Sequence, residues 1–493
     1  MPIENPDPRT PVIIGVGQFL DRDSAAGEPV DLMVEAITAA EADTTRSGAL
    51  TRTDVVAVVP TFSWRYRDPG ALIRDRIGAP TSATWYATVG GNTPQLLVNR
   101  LAGAISRGEL DQAVLCGGES GRTRRAAKRD GVTLDWATQD DSVVPTWMDE
   151  TPFIMAGPGE LARNIVMPLQ AYPLFENALW HHSGRSLEDH VATVGEIWAG
   201  FSRVAEANPY AWSRQAFTAD EITTPTDDNR TVGWPYTKRM VSNPDVNMAS
   251  AAIICSVERA RELGVPSDRW VFVHAGTDGR DRSMSERRDF HSSPAIGVAG
   301  NRALELAGIG IDDVAHLDLY SCYPSAVQLA IGELGVDPTR QLTVYGGLAF
   351  AGGPWNNPVG HAIAAMVDEL RADPGSTGLV TANGGHVDKH SFGVYSTTPP
   401  AEGFRYDRPQ DLIDAVPGVD AVVDAEGPAT IETWTVMFGR DAAPERAHAA
   451  VRLPDGARTW AVTSDPDTMR SMVGVDMTGA VVTLGAEGEL SLD

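Results

Sequence analysis

The stretch from Tyr86 to Arg107, YATVGGNTPQLLVNRLAGAISR, is where residue types and spacing best suit chemistry. It reads as a strand end, a glycine turn and a capped helix in immediate succession. Asn92 or Thr93 can cap, Pro94 suits the first helical turn, and Leu96, Leu97, Leu101, Ala104 and Ile105 share one apolar face. A turn that opens on a buried helix N-terminus favours a nucleophile or an anion, because free N–H groups and the helix dipole both stabilise negative charge. Yet Val89, Gly90, Gly91 and Asn92 supply no thiol or hydroxyl before Thr93.

Other reactive types are sparse. The cysteines are Cys116, Cys255 and Cys322, an odd number without paired spacing, which argues against a disulfide framework or a zinc cluster and fits a reducing cytoplasm. His181 and His182 have no carboxylate or cysteine at ligand spacing, so no metal is expected. The glycine turns lack the acidic residue of a dinucleotide fingerprint. A formal net charge of -26 over 493 residues speaks against nucleic acid as a partner. The most basic cluster, Arg122, Arg124, Arg125, Lys128 and Arg129, reads slightly better as a solvated helix face than as a contact for a nucleotide phosphate. The N-terminus lacks the basic and apolar regions of a signal peptide, and no apolar run approaches the length of a membrane span.

The elements that position the turn alternate in type. Val12 to Val16 is a wholly apolar run of the kind that makes a strand buried on both faces, followed by a helix over Pro29 to Ala42. Strands at Asp54 to Val59, Ala83 to Thr88 and Gln112 to Cys116 follow, with helices between them, as in a covered parallel sheet. A second passage from Trp270 to Gly385 repeats this order about 260 residues downstream, which suggests a duplicated domain with a ligand crevice where equivalent turns meet. Gly121 to Asn243 interrupts the rhythm with tryptophans and a helix over Ser186 to Asn208, in the manner of a lid or substrate-binding insertion. After Thr397, short alternating strands such as Thr430 to Thr435 predict a small all-β barrel with a packing or interaction role.

The order of turns over Pro11 to Ser396 resembles the thiolase superfamily. Val89, Gly90 and Gly91 occupy the C-x-S turn of the nucleophilic cysteine, and Gly117 to Ser120 resembles the G-G-x-E-S strand ending. Tyr320 to Tyr323 lines up with N-E-A-F or H-D-C-F, Gly346 to Pro354 with G-G-A-I-A-x-G-H-P, and Ala382, Asn383 and Gly384 with C-x-G. Thiolase chemistry needs a thiolate, an activating histidine and a second cysteine, and all three positions are replaced, with Gly353 at the histidine. With its C-terminal segment TIETWTVMFGRD…DGARTWAVTSDPDT, the chain looks most like the thiolase-like proteins of type 1, which generally carry an acetyl-CoA acetyltransferase label.

The resemblance implies an α/β fold of duplicated βαβαβαββ halves in a layered α-β-α-β-α arrangement. Residues 1–120 with 241–265 would form the first half, 121–240 an inserted loop domain, 266–398 the second half, 399–425 a linker and 426–493 the β-barrel. It also implies a pocket for CoA or acyl-CoA as ligand, with no tightly bound cofactor. Catalytic candidates are His390 as base, Tyr320 as an oxyanion donor and Ser321. The pocket would be lined by Val89, Gly90, Gly91, Cys322, Tyr323, Gly353, Asn356, Asn357, Asn383, Gly384, His386 and Lys389. Three functions are compatible with this set: an acyltransferase of altered mechanism, a CoA-binding protein without chemistry, and a retro-aldol lyase using Tyr320, Tyr323 and Tyr345. A homodimer through the strand before the turn is a further expectation that the resemblance implies, unless the added domain covers or supplements that surface.

Overall fold

The computed structural model describes residues 6–23, 25–149 and 154–492. The first half comprises β1 (Pro11–Leu20), α1 (Pro29–Asp43), β2 (Val55–Val58), α2 (Pro69–Arg76), β3 (Ala83–Tyr86), α3 (Thr93–Ser106) and β4 (Gln112–Ser120). The chain then leaves the sheet for α4 (Gly121–Asp130), β5 (Trp147–Met148), α5 (Pro158–Ala162), α6 (Pro168–Ser183), α7 (Leu187–Ala207), α8 (Ala219–Thr223) and the hairpin β6 (Thr231–Gly233) and β7 (Tyr236–Thr237). It returns with β8 (Asn247–Ser256) and α9 (Val257–Leu263). The second half holds β9 (Val271–Arg280), α10 (Pro294–Ala307), β10 (His316–Asp318), α11 (Pro324–Leu334), α12 (Pro358–Ala372), β11 (Thr377–Gly384) and β12 (Lys389–Ser396). A connecting stretch with β13 (Arg405–Asp407) and α13 (Gln410–Asp414) precedes β14 (Gly427–Phe438), β15 (Pro444–Arg452), β16 (Arg458–Thr463), α14 (Pro466–Ser471), β17 (Val481–Leu484) and β18 (Leu490–Leu492).

The local reasons are simple. β4 and β8 are buried at every position, as strands covered on both faces must be. Proline opens α1, α10, α11 and α12, where its fixed φ suits a helix start and its missing N–H costs nothing. Left-handed glycines at Gly264, Gly308 and Gly335 end α9, α10 and α11.

Sheet order demonstrates the duplication. The strands run β10-β11-β12-β9-β1-β8-β4-β2-β3-β5. Read outward from the middle, β1-β8-β4-β2 and β9-β12-β11-β10 have the same order of roles. The two series meet antiparallel at Val12↔Phe272 and Ile13↔Val271, so a pseudo-twofold passes between β1 and β9. α3 and α12 pack on each other and on strands of both series, which makes them the middle helical layer. The second half departs from the first at Gly347–Ala351, a π-helical turn; the segment before it meets the sheet side through Leu319 N–H donating to Leu342 O (2.9 Å) and through Asp318 Oδ2, which accepts from the Thr343 hydroxyl (2.8 Å) and from Val344 and Tyr345 N–H (3.1 Å each).

One feature of the insertion was not legible beforehand. β5 pairs with β3 at Trp85↔Trp147 and Tyr86↔Met148, so an element of the chain itself occupies the edge of the strand before the glycine turn. The basic cluster lies on α4, where Arg125 pairs with Asp245 (3.3 Å), Arg129 with Asp130 (2.8 Å), and Arg124 donates to Phe62 O (2.7 Å). These contacts favour the reading of a helix face over a phosphate site.

The C-terminal strands form one sheet in the order β16-β15-β14-β17-β18. The ends approach each other through a single bridge, Val462↔Glu489, so the barrel expected from the sequence closes by one contact and not by a ladder. The insertion extends this sheet: Met437 of β14 pairs with Gly233 of β6. Trp180 and Trp234 of the insertion share a core with Trp434 of β14, with ring centroids 5.7–6.1 Å apart. Insertion and C-terminal sheet are therefore one packed unit. No helix among the described residues is long and apolar enough to cross a membrane.

Candidate functional site

Five segments converge on the glycine turn. α3 begins at Thr93 after Asn92, whose side chain makes no capping bond, while the Thr93 hydroxyl donates to Thr88 O (2.7 Å). Gly90 N–H donates to Asn356 Oδ1 (3.0 Å), and Asn356 Nδ2 donates to Pro60 O (2.9 Å). Lys389 Nζ donates to Val89 O (2.9 Å). A Cβ on Gly91 would collide with the Tyr320 hydroxyl and lie 2.5 Å from Asn383 O. A Cβ on Gly384 would lie 3.2 Å from Gly90 Cα. These positions therefore require glycine because backbone and side chain from the second half press directly on the turn.

The turn is consequently closed. Gly90 N–H is already bonded and the space at Gly91 is filled, which corrects the expectation of open room and free N–H groups there. The small space behind Tyr320, about 10 Å³, is lined by Ile296, Asn383, Val387 and His390 among others, and is at the lower limit for one water.

The remaining sequence candidates separate into three groups. Val89, Gly90, Gly91, Tyr320, Asn356, Asn383, Gly384 and Lys389 do come together as described. Cys322 and Tyr323 stand one layer behind: Asn383 Nδ2 lies 4.0 Å from Cys322 Sγ, and Tyr323 stacks on Tyr172 with centroids 4.4 Å apart. The others face elsewhere. Asn357 braces the start of α12 by donating to Gly117 O (2.8 Å) and Ser250 Oγ (2.9 Å). Gly353, at the position of the thiolase histidine, donates its N–H to Asn243 O (2.9 Å), and the space a side chain would need is taken by the Ser242 hydroxyl. Ser321 Oγ would lie 3.2 Å from a Cβ on Gly347, so it faces the π-helical turn. His386 is buried and lines an open cleft on the far side of the 384–389 turn.

Burial sets the electrostatics. It pushes the Cys322 thiol up to about 12, and raises the Tyr320 and Tyr172 hydroxyls well above their ordinary value. Loss of water lowers His390 and His386 to about 4 each, and lowers Lys389 as well. His390 Nε2 is 3.8 Å from Asp281 Oδ2 and has no hydrogen-bond partner. At neutral pH the centre thus holds a thiol, phenols and neutral imidazole, and no thiolate for acyl transfer.

Sequence reasoning missed the insertion's contribution. Tyr172 of α6 donates to Gly385 O (3.1 Å) and accepts from Asn383 Nδ2 (2.9 Å), directly over Cys322 and Tyr323. Behind it, the Tyr236 hydroxyl bonds Glu176 Oε2 (2.6 Å) and Ser325 Oγ (2.9 Å), and His190 Nε2 bonds Glu176 Oε1 (2.7 Å). Tyr172 sits at an ordinary buried helix position, so spacing alone carries no sign of it.

The comparisons agree with this geometry. The family model described as the thiolase-like protein type 1 additional C-terminal domain matches residues 409–489. The crystal structure of a monomeric SCP2-thiolase-like protein type 1 from Mycobacterium smegmatis is similar at 33% identity and a TM-score of 0.84, covering 99% of this chain and 100% of that one. An Ltp2–ChsH2(DUF35) aldolase shares 17% identity, with a TM-score of 0.60 over 79% of this chain and 98% of that one. Human mitochondrial 3-ketoacyl-CoA thiolase shares 14% identity, with a TM-score of 0.57 over 79% of this chain and 100% of that one. These last two show the fold alone. The full-length likeness, together with a thiolase turn filled by Tyr320 and the additional C-terminal domain, places the chain in the SCP2-thiolase-like protein type 1 family.

Proposed function

We propose that this protein binds CoA or an acyl-CoA and does not pass the acyl group through a covalent enzyme intermediate. The observation that carries this reading is the Tyr320 hydroxyl packed against Gly91 where thiolases present a cysteine turn. Cys322, held at about 12 and 7% exposed, is no substitute nucleophile. The acyltransferase of altered mechanism would need Ser321 and His390 to meet, and they face different surroundings, the π-helical turn and the space beside Asp281.

A carbon–carbon lyase acting on an acyl-CoA is the second reading, favoured by the same tyrosine. A neutral phenol beside a neutral histidine can relay a proton without a thiolate. Of the tyrosines first considered, Tyr345 is spent on Ala351 O and Gly352 O (3.2 and 2.9 Å), so Tyr320 would act with Tyr172. The β5 strand on the β3 edge supports action as a monomer, and the free, buried Cys116, Cys255 and Cys322 support a reducing, cytoplasmic setting.

Labelled acetyl-CoA and calorimetry with CoA test the proposal together. Heat of binding with no label retained on the protein is the expected result. Acyl group recovered covalently on the chain would overturn it.

A further inference from the structure

On the far side of the 384–389 turn lies an open cleft of about 710 Å³, within the roughly 300–1,000 Å³ of small-ligand sites. Its walls come from four parts of the chain: the insertion at residues 154–160, the end of β9 and the loop after it at 280–286, the turn at His386 and Asp388, and the linker at 408–423. Ile154, Val422 and Val423 are exposed on its rim at 60%, 36% and 39%, and make that side apolar. The cleft is also lined by Arg282 and Arg408, both exposed. Arg282 donates to Asp414 O (3.0 Å) and Val416 O (3.5 Å) and keeps further guanidinium N–H groups for an anion. The acidic neighbours are engaged within the protein: Asp281 with Arg287 and Ser293, and Glu286 with Ser283.

Two buried side chains of the cleft have unused bonding capacity. Glu160 is 1% exposed; its Oε1 accepts from Ser285 N (3.1 Å), and its Oε2 has no partner. His386 is 3% exposed; its ring is directed at the Val166 backbone, and neither nitrogen completes a well-formed hydrogen bond. Buried polar groups are rarely left unmet, and two in one cleft call for a ligand that supplies donors and an acceptor.

We propose that this cleft, and not the closed glycine turn, seats the CoA moiety, with the pantetheine arm against Glu160 and His386 and the phosphates at Arg282 and Arg408. The inference rests on the CoA-binding reading above. A pantetheine arm has amide N–H groups for Glu160 Oε2, an amide carbonyl or hydroxyl for His386, and a hydrocarbon body for the apolar rim. Arginine in the same cleft suits the phosphate end. The linker wall belongs to the segment that precedes and enters the additional C-terminal domain, so that domain would help complete the site.

Calorimetry on the full chain with CoA and with pantetheine alone tests this. Glu160→Gln and His386→Ala should each weaken binding of both ligands about tenfold, the loss expected when a buried hydrogen bond is removed. Arg282→Ala with Arg408→Ala should weaken CoA and leave pantetheine unchanged. Val422→Cys labelled with a bulky maleimide should block both, and it touches no buried group, so it holds if a buried variant fails to fold. Unchanged CoA affinity in every folded variant overturns the cleft assignment while leaving CoA binding intact. No CoA binding by the unmodified chain overturns the functional reading itself, and the cleft assignment with it.

Discussion

Two places on either side of one turn differ sharply. At Gly90 and Gly91, Gly90 N–H and Lys389 find partners across the halves, and where Asn92 Oδ1, Asn383 Oδ1 and His390 Nε2 stay unmet the remaining space is only about 10 Å³. At Glu160 and His386, buried polar atoms stay unmet beside about 710 Å³ of open cleft. The difference teaches that a fold can keep the frame of a reactive centre while tight packing leaves no room in it, and place unmet polar groups beside open space elsewhere. A closed centre contributes to stability, whereas an unmet one has capacity for a ligand.

Substitutions can break this contrast. The largest effect should come from Tyr320→Ala, which empties the centre and should cost about 3–5 kcal/mol in denaturant unfolding. Glu160→Gln, which keeps its shape beside Ser285, should stay within about 1 kcal/mol by the same measurement. Equal losses at the two sites would remove the distinction between them.

Gly91→Ala should cost about 1–3 kcal/mol, since its Cβ meets the Tyr320 hydroxyl and Asn383 O. Combining it with Tyr320→Phe should recover part of that loss, because the nearest of the three clashing atoms is gone. Strict additivity in the double-mutant cycle would mean that the two residues do not touch.

A pH series sharpens the comparison further. His386 and His390 are lowered from 6.5 to about 4 in the fold, so between these values the unfolded chain binds the extra protons. Their stabilisation is therefore present above about pH 6.5 and is lost as pH falls toward 4, by up to about 1.4 kcal/mol per pH unit for each. Buried Glu119 and Asp318, raised to about 7 and about 6, act in the opposite sense and lose stabilisation as pH rises through the same region. His390→Asn should thus flatten the acid limb measured by urea unfolding at pH 7 and pH 5. An unaltered limb would show that His390 is protonated or solvated in the fold. Ligand at the cleft should steepen the limb only if it holds His386 neutral more firmly than the empty cleft does.

The smallest expected signal is an absence of reaction. Cys116, Cys255 and Cys322 are buried, and their thiols are all raised by burial. A thiol reagent at neutral pH should leave the native protein unlabelled and modify these cysteines only after unfolding. Rapid labelling of Cys322 in the native state would show that the centre opens.

Much of the fold was legible because it is written in local patterns. The apolar run Val12 to Val16, the prolines that open helices and the repeated order of elements identify a duplicated α/β chain, and the sheet confirms it strand by strand. The turn motifs also identified which segments converge on Gly90. They could not give the occupancy of the space between those segments. Tyr172 reaches Asn383 across 211 residues, and Glu160 meets Ser285 across 125, and nothing in the spacing of either residue announces its partner. The small β unit was legible as strands, yet its shared core with Trp180 and Trp234 was not, because tryptophan marks a core without saying which one.

By itself, then, the sequence determined the alternation of elements, the presence of glycines at the turn and the absence of a nucleophile there. These follow from short-range rules of backbone freedom, side-chain periodicity and residue chemistry. Tertiary structure alone decided that Tyr320 fills the turn, that Gly353 is blocked by Ser242, and that Glu160 and His386 bring unmet polar atoms to a cleft walled by the insertion and the linker. Those outcomes depend on which distant surfaces pack together, and burial, which sets the reactivity of each group, exists only once they have packed.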